Sequence, residues 1–355
     1  MPKFEHIVIL SDGIRGHYHQ SLGIAQWLER LGGGRLEGHV DVPKFFGLQK
    51  IMKLKLFVHG LAVHDGTYSR EWLKSAGVSF RNIKPKTLFI SAGSSAAPFC
   101  LACAKATGNK SAVVMTPSIL GTKSFDYAII PDHDKHDPKD RNILTTLGAP
   151  NHIYQPELEQ VGARFFAGKD FGNNKVVAVL VGGTDANYKP SASWAEDALG
   201  SLRYIDGVKL LITTSRRTEK SLDDKIEDMF TGDAALGYLL ILSKNPKVNA
   251  LTAMMGRATH VLVTEDSVSM VSEAVTAGFR VGLLRVPRSS DMLKQFFGSG
   301  PKRFDDMFGK MRQRNLLVDL GKIPDFRNFL SEPEQKHHQD FNEAKRAAEW
   351  ILSQP

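Results

Sequence analysis

Cysteine is almost missing from this 355-residue chain, which has 2, Cys100 and Cys103. They form Cys-Leu-Ala-Cys inside a helical pattern, away from the helix start after a strand that redox pairs occupy, and no second pair completes a zinc set. A disulfide scaffold is excluded, core packing is the expectation for both thiols, and a reducing cytoplasm fits. No apolar run approaches the roughly 20 residues that span a bilayer. Met1-Pro2-Lys3-Phe4-Glu5 passes straight into a strand, so no signal peptide is expected. The chain has no G-x-x-x-x-G-K-[ST] phosphate loop, and its Gly-Gly turn lacks dinucleotide spacing, which disfavours P-loop NTPases and nicotinamide dehydrogenases. Solenoid repeats, low-complexity tracts, zinc fingers and RNA-recognition motifs are also missing, so nucleic acid is not an expected partner.

What is present reads as a soluble α/β protein. Hydrophobic residues make up 42% and charged residues 24%, ordinary for a globular chain. Its length favours two domains. A net charge of +8 argues for an anionic partner such as a phosphorylated substrate or an acidic membrane surface. Continuous apolar runs alternate with amphipathic helices, the pattern of a parallel sheet covered on both faces. In the second half the strands are Val176–Val181, Lys209–Thr214, Leu239–Leu242, His260–Val263 and Val281–Leu284. The first half repeats the theme with His6–Leu10, Leu88–Ile90, Ala112–Met115 and Tyr127–Ile130, and a helix from about His19 to Leu31. The boundary falls between Asn151 and Lys175. The expected layout is an N-terminal domain at 1–160, a C-terminal domain at 161–335, and a closing helix within 336–355 that can pack back on the first domain. Each domain is Rossmann-like and doubly wound, and the two face a cleft.

Ligands in open α/β sheets bind beyond the carboxyl ends of strands, where helix N-termini present free N–H groups. Three stretches in the second half have the right residues there. His260-Val261-Leu262-Val263 breaks into Thr264-Glu265-Asp266-Ser267-Val268-Ser269 and a helix carrying Glu273. Small hydroxyls and amides suit a phosphate, and an acid one or two turns along suits sugar hydroxyls. Gly182-Gly183-Thr184 and Thr214-Ser215-Arg216-Arg217 end two other strands, and the arginines can clamp a diphosphate. Arg216 is the stronger candidate and Arg217 equally reads as a solvated turn.

In the first half, Ser11-Asp12-Gly13-Ile14-Arg15-Gly16-His17 follows the first strand as a loop. Gly13 and Gly16 let a ligand approach the backbone, Arg15 can pair with an anion, and His17 suits general-base work on a hydroxyl. Asp12 reads as a helix cap or a second base. Asp132-His133-Asp134 resembles a metal motif, yet opposite charges in Asp132–Asp137 also suit a solvated turn, and no metal is expected. Lys44–Val58, basic and apolar without acids, suits either an anionic bilayer surface or a core helix. Phe296-Phe297 with Lys302-Arg303-Phe304 is a weaker patch of the same kind.

Together, Ser11-Asp12-Gly13, Gly16-His17, Gln20-Ser21-Leu22-Gly23, Gly182-Gly183-Thr184, Thr214–Thr218 and Thr264–Ala274 resemble one family. It is the plant mitochondrial-fission factor family ("elongated mitochondria") with its bacterial relatives, which are regarded as glycosyltransferases of outer-core lipooligosaccharide. The resemblance runs over most of the chain, and the lack of a targeting segment leads us to expect a bacterial member. It implies the two-domain GT-B class of glycosyltransferase. More distantly, the layout is similar to the enzyme that adds N-acetylglucosamine to the lipid-linked peptidoglycan precursor. There a Gly-Gly-His turn holds the acceptor and a helix glutamate holds the ribose. Gly16-His17 and Glu273 are the matching positions, while Asp12 and Arg15 replace a glycine-rich run.

The expectation is a cytoplasmic, metal-independent glycosyltransferase with no cofactor beyond its co-substrate, a nucleotide-diphosphate sugar. Its acceptor is a hydroxyl of a cell-envelope glycan or glycolipid, and the inner face of the cytoplasmic membrane is a candidate surface. Gly182, Gly183, Thr184, Thr214, Ser215, Arg216, Glu265, Asp266, Ser267, Ser269 and Glu273 are the donor-side residues, with Glu273 on ribose. His17 and Asp12 are the catalytic candidates, and Gly13, Arg15 and Gly16 line the acceptor side. A sugar-nucleotide 2-epimerase and a non-catalytic membrane adaptor on the same fold are the alternatives.

Overall fold

The computed structural model describes residues 3–44, 66–78, 83–118, 120–134, 141–289, 302–321, 323–333 and 341–355. The basic-apolar stretch beyond Lys44, the Phe296-Phe297 pair, the side chains of Lys302 and Arg303, and residues 135–137 of the acidic cluster lie outside the described set. The chain divides into two compact units, one of Met1–His152 with Asn342–Pro355 and one of Ile153–Phe341.

The first unit holds a parallel sheet of six strands: β1 (His6–Ser11), β2 (Arg35–Asp41), β3 (Thr87–Ala92), β4 (Lys110–Val114), β5 (Tyr127–Pro131) and β6 (Ile143–Thr146). Their spatial order is β2-β1-β3-β4-β5-β6. All six residues of β3 are buried, because helices cover both faces. Leu88 and Ile90 pack on one face with Ile24 and Leu28 of helix α1 (Arg15–Arg30), while Phe89 meets Phe99, Cys100 and Cys103 on the other. Those three belong to a helix, Gly93–Thr107. A further helix, α2 (Gly66–Ser75), precedes it in the chain, so Gly93–Thr107 is α3. Burial pushes the Cys100 thiol up to about 12 and raises that of Cys103 as well. Neither offers the low-pKa thiolate that redox chemistry uses, and both are packing residues.

The second unit contains β7 (Lys175–Leu180), β8 (Val208–Thr213), β9 (Leu236–Leu240), β10 (His260–Thr264), β11 (Val281–Leu284) and β12 (Leu317–Leu320). All neighbouring pairs are parallel, and the order is β12-β11-β10-β7-β8-β9. Its helices are α4 (Leu158–Phe165), α5 (Ala192–Leu199), α6 (Lys220–Phe230), α7 (Leu251–Arg257), α8 (Val268–Thr276), α9 (Lys302–Gln313) and α10 (Ile323–Ser331). At the crossing of α4 and α7 a Cβ on Gly256 would stand 1.9 Å from the Leu158 carbonyl oxygen, so only glycine permits that approach.

The last helix, α11 (Glu343–Ser353), returns to the first unit. Ala344, Ala347, Ala348 and Ile351 join the core cluster of Ile24 and Leu28. Asn342 caps its start by accepting from the Lys345 N–H at 2.8 Å. At its far end the Lys3 ammonium donates to the carbonyls of Ile351 and Gln354, where the helix dipole is negative. No helix among the described residues is long and apolar enough to cross a membrane. Ile351→Ala is expected to lower the stability of the first unit by about 2–4 kcal/mol through the cavity it leaves. Urea unfolding followed at Trp350 fluorescence checks this.

Candidate functional site

Each sheet has one place where the strand order reverses direction and the chain leaves neighbouring strands on opposite faces. In the first unit this point lies between β1 and β3, and in the second between β7 and β10. Crevices at such points are where open α/β sheets bind ligands. Both fall on loops singled out from the sequence.

At the first, the chain turns sharply after β1. The Asp12 carboxylate accepts from the Ile14 N–H at 3.0 Å, Ser11 Oγ accepts from the Gly13 N–H at 3.1 Å, and Gly13 takes φ +78°. This tight turn lets α1 begin at Arg15, four residues ahead of the sequence expectation of His19. Gly16 and His17 therefore sit in the first helical turn rather than in a loop. A Cβ on Gly16 would meet nothing within 4 Å, so that glycine answers no packing demand.

His17 Nδ1 lies 2.9 Å from Asp12 Oδ2. Burial works against the charge on Asp12, but the hydrogen bonds from His17 and the Ile14 N–H outweigh it and hold the carboxyl below its ordinary range. An ionised Asp12 favours the tautomer with the proton on Nδ1, which leaves the Nε2 lone pair to accept a proton. The imidazole lies against Gly93 at the start of α3, where a Cβ would come 2.5 Å from His17 Cε1 and φ is +78°. Gly93 follows the strand Leu88–Ile90, and nothing in its local sequence marks it as a neighbour of His17. Beside it, the Ser94 and Ser118 hydroxyls lie 2.9 Å apart. Arg15 Nε lies 3.4 Å from His19 Nε2. In the Asp132–Asp134 stretch, the Asp134 carboxylate accepts from the Thr116 N–H at 3.4 Å.

At the second switch point three turns interlock. The Gly182 N–H donates to Thr264 Oγ1 at 2.7 Å and the Gly183 N–H to Asp266 Oδ2 at 2.7 Å. Thr218 Oγ1 donates to the Gly182 carbonyl at 2.5 Å, and the Thr184 N–H to the Arg217 carbonyl at 3.1 Å. The Thr184 hydroxyl donates to Glu219 at 2.9 Å. Both glycines are required by the protein itself. A Cβ on Gly182 would stand 2.0 Å from Asp266 Oδ2, and one on Gly183 would stand 2.2 Å from the Arg217 backbone.

Several donor-side candidates are thus engaged internally. Thr214 Oγ1 accepts from the Leu242 N–H at 3.2 Å, and Ser215 Oγ lies 3.1 Å from Thr218 Oγ1. Glu265 accepts from the Val286 N–H at 3.0 Å and pairs with Arg285. Asp266 faces Arg217, whose guanidinium also lies 3.5 Å from Asp185. The arginine that links the turns is Arg217, where the sequence pointed to its neighbour. Burial pushes the Asp266 carboxyl up to about 6, against hydrogen bonds from Thr264 and the Gly183 N–H and the charge of Arg217.

Helix α8 begins in the middle of this arrangement, with Ser267 as its N-cap residue and no acid in its first turn. Its first-turn N–H groups have no intrahelical acceptor. Ser269 and Glu273 are four residues apart and so share one face of the helix, the first of them exposed. Arg216 is exposed at the neighbouring turn and makes no ion pair among the described residues.

Two parallel sheets of this topology, each with its polar loops at the switch point, define a GT-B-type protein of two Rossmann-like units. A family model described as "Mitochondrial fission ELM1" matches residues 15–354. The chain belongs to that family. No curated protein matches it in sequence. Among solved structures it is similar to S. aureus MnaA in complex with UDP, at 11% identity and a TM-score of 0.53 over 98% of this chain and 95% of the other. The UDP-GlcNAc 2-epimerase of Methanocaldococcus jannaschii is similar at 10% identity and a TM-score of 0.50, covering 98% and 99%. That of Neisseria meningitidis, bound to UDP-GlcNAc, gives 10% and 0.50, covering 99% and 100%. At such identities the likeness establishes the fold.

Two outcomes follow from this geometry. Gly182→Ala is expected to cost about 2 kcal/mol or more, since the buried Asp266 carboxylate must move. Gly16→Ala is expected to be neutral or to stabilise by up to about 1 kcal/mol as a helix substitution in open space, and denaturant midpoints distinguish the pair. Asp266, with a folded-state pKa raised above its unfolded value, binds a proton more readily when folded. Its contribution to stability is present at low pH and lost as pH rises through about 6. Wild type is therefore expected to gain stability relative to Asp266→Asn on going from pH 7 to pH 5, measured by paired urea titrations. An unchanged difference would rule out a buried, proton-sensitive carboxyl.

Proposed function

We propose that the protein binds a nucleotide-diphosphate sugar and transfers the sugar to an acceptor hydroxyl, without a metal ion. The observation that carries this reading is the coincidence of the sequence-marked loops with the switch point of each sheet, one bearing an anion-friendly helix start and the other a carboxylate-oriented imidazole.

In the second unit the diphosphate lies at the start of α8, on its free N–H groups and the hydroxyls of Ser267 and Ser269. Arg216 supplies exposed positive charge from the next turn. Glu273, one turn beyond Ser269, takes the ribose hydroxyls. Gly182, Gly183, Thr184, Thr214, Ser215, Glu265 and Asp266 set the shape of the turns. Helix dipole and arginine stabilise the departing nucleotide diphosphate, the charge that a divalent cation would otherwise neutralise.

In the first unit His17 Nε2 accepts the proton of the acceptor hydroxyl, and Asp12 fixes the tautomer and favours the imidazolium that forms. Gly13, Arg15 and Gly16 border the open space beside it. The acceptor class, a cell-envelope glycan or glycolipid, rests on the family resemblance and on the net charge of +8. A peripheral position on an anionic membrane has the same basis.

A second reading, nucleotide-sugar 2-epimerisation, is favoured by the two solved UDP-GlcNAc 2-epimerases that share this fold. It needs no acceptor, so a donor-only incubation separates the two. Glu273→Ala is expected to weaken UDP-sugar binding about tenfold by calorimetry, the scale of one charge-assisted hydrogen bond. His17→Ala is expected to retain donor affinity and to lose transfer. Epimerised donor appearing without acceptor would replace the transferase reading, and unchanged affinity in Glu273→Ala would remove the ribose assignment.

A further inference from the structure

Neither ion pair of Arg217 closes to the distance of the tightest arginine–carboxylate pairs among the described residues. Its guanidinium lies 3.3 Å from Asp266 Oδ2 and 3.5 Å from Asp185 Oδ2, whereas Arg203 meets Asp233 at 2.7 Å and Arg288 meets Asp305 at 2.7 Å. Charge-assisted hydrogen bonds between such groups close to roughly 2.7–2.9 Å when the geometry is satisfied. Arg217 is thus shared between two carboxylates and settled on neither. The exposure of the three side chains differs in the same sense: Asp266 is closed at 0%, while Asp185 at 29% and Arg217 at 42% remain open to an incoming group.

The place matters as much as the distances. Arg217 Nη2 also lies 3.4 Å from the carbonyl oxygen of Asp266, the residue immediately before the Ser267 N-cap of α8. The guanidinium is therefore one residue from the helix start. Asp266 and Asp185 each keep other partners if it moves. Asp266 retains the Gly183 N–H at 2.7 Å, and Asp185 Oδ1 retains the N–H groups of Asn187 and Tyr188 at 2.7 and 2.8 Å.

We propose that Arg217 is an anion receptor held in reserve, parked between Asp185 and Asp266 in the free protein and transferred to the diphosphate of the ligand when that group reaches the start of α8. The inference rests on the donor-binding reading above and adds a residue and a competition to it. A phosphate oxygen offers the guanidinium a short, bidentate contact in place of long ones. Asp185 is the competitor that a ligand must displace. A neutral ligand cannot compete for the arginine, so the pair selects for diphosphate charge.

The test is calorimetric titration of the full-length protein with inorganic pyrophosphate and, separately, with UDP. Four proteins are compared: wild type, Asp185→Asn, Arg217→Gln and the double variant. Asp185→Asn keeps the Oδ1 acceptor for Asn187 and Tyr188 and removes only the competing charge, so its fold is preserved. It is expected to bind pyrophosphate about two- to fivefold more tightly, the scale of a solvent-exposed ion pair. Arg217→Gln is expected to bind about tenfold more weakly or worse, the scale of a lost charge-assisted hydrogen bond. In the Arg217→Gln background, Asp185→Asn is expected to give no gain, which makes the coupling specific to this pair. An Asp185→Asn gain that persists without Arg217, or an Asp185→Asn affinity that is unchanged or lower, overturns the proposal. Pyrophosphate binding with this pattern but no UDP binding leaves the receptor standing and removes the nucleotide reading. Binding of neither by wild type overturns both.

Discussion

The second unit depends on a single hydrogen bond from the Gly183 N–H to a carboxylate that is closed to solvent. Asp266 sits at the end of the central strand β10, and the bond ties it to the turn after β7, the strand beside it. Taking an ionised carboxyl out of water is costly unless donors surround it. Gly183 and Arg217 supply them, the second from the turn after β8. One buried charge thereby fixes the relative height of three turns. The glycines exist to let it in, since any side chain at 182 would occupy the space of the carboxylate itself. The helix start that follows Asp266 inherits its position from this bond.

The first unit solves the same problem with weaker means. Its turn after β1 is closed by Ser11 and Asp12 on their own backbone, two residues on in each case. Asp12 then has its second oxygen for His17, so the residue that shapes the turn also orients the imidazole. In the second unit, Asp266 shapes, while Ser269 is exposed and Glu273, on the same helix face, is buried. In the first unit, shaping and orientation are joined in one carboxylate. A change at Asp12 therefore acts on turn and imidazole together.

Much of the fold was legible in the sequence, because fully buried parallel strands leave short continuous apolar runs, here rich in β-branched residues and ending in small polar clusters. β7, β8 and β10 are of this kind. Of the edge strands, β9 was read in part as Leu239–Leu242, while β2, β6 and β12 were not. β2, Arg-Leu-Glu-Gly-His-Val-Asp, is exposed along most of its length and contains a glycine and two acids, so no apolar signal marks it. The loops of the candidate site were legible as strand-ending clusters of small and polar residues. Their internal wiring was not, because a hydroxyl or carboxylate in such a cluster has the same sequence signature whether it faces a ligand or a neighbouring turn. Arg216 and Arg217 illustrate the point: adjacent, identical in type, and divided only by which one the turn directs toward Asp185 and Asp266. Gly93 was passed over for a related reason. Its demand comes from His17, 76 positions away in sequence, and only the adjacency of β1 and β3 brings them together.

The return of α11 to the first unit has a consequence for the order of events during synthesis. The second unit, Ile153–Phe341, is uninterrupted in the chain and has its full complement of strands before Asn342 is made. The first unit does not, because the helix that covers Ile24 and Leu28 is made only after the second unit. Domains ordinarily mature from the N-terminus as the chain emerges. Here the unit that starts first is completed after the second, and the apolar face awaiting Ala347 and Ile351 stays open to water, or to a chaperone, until α11 has been made.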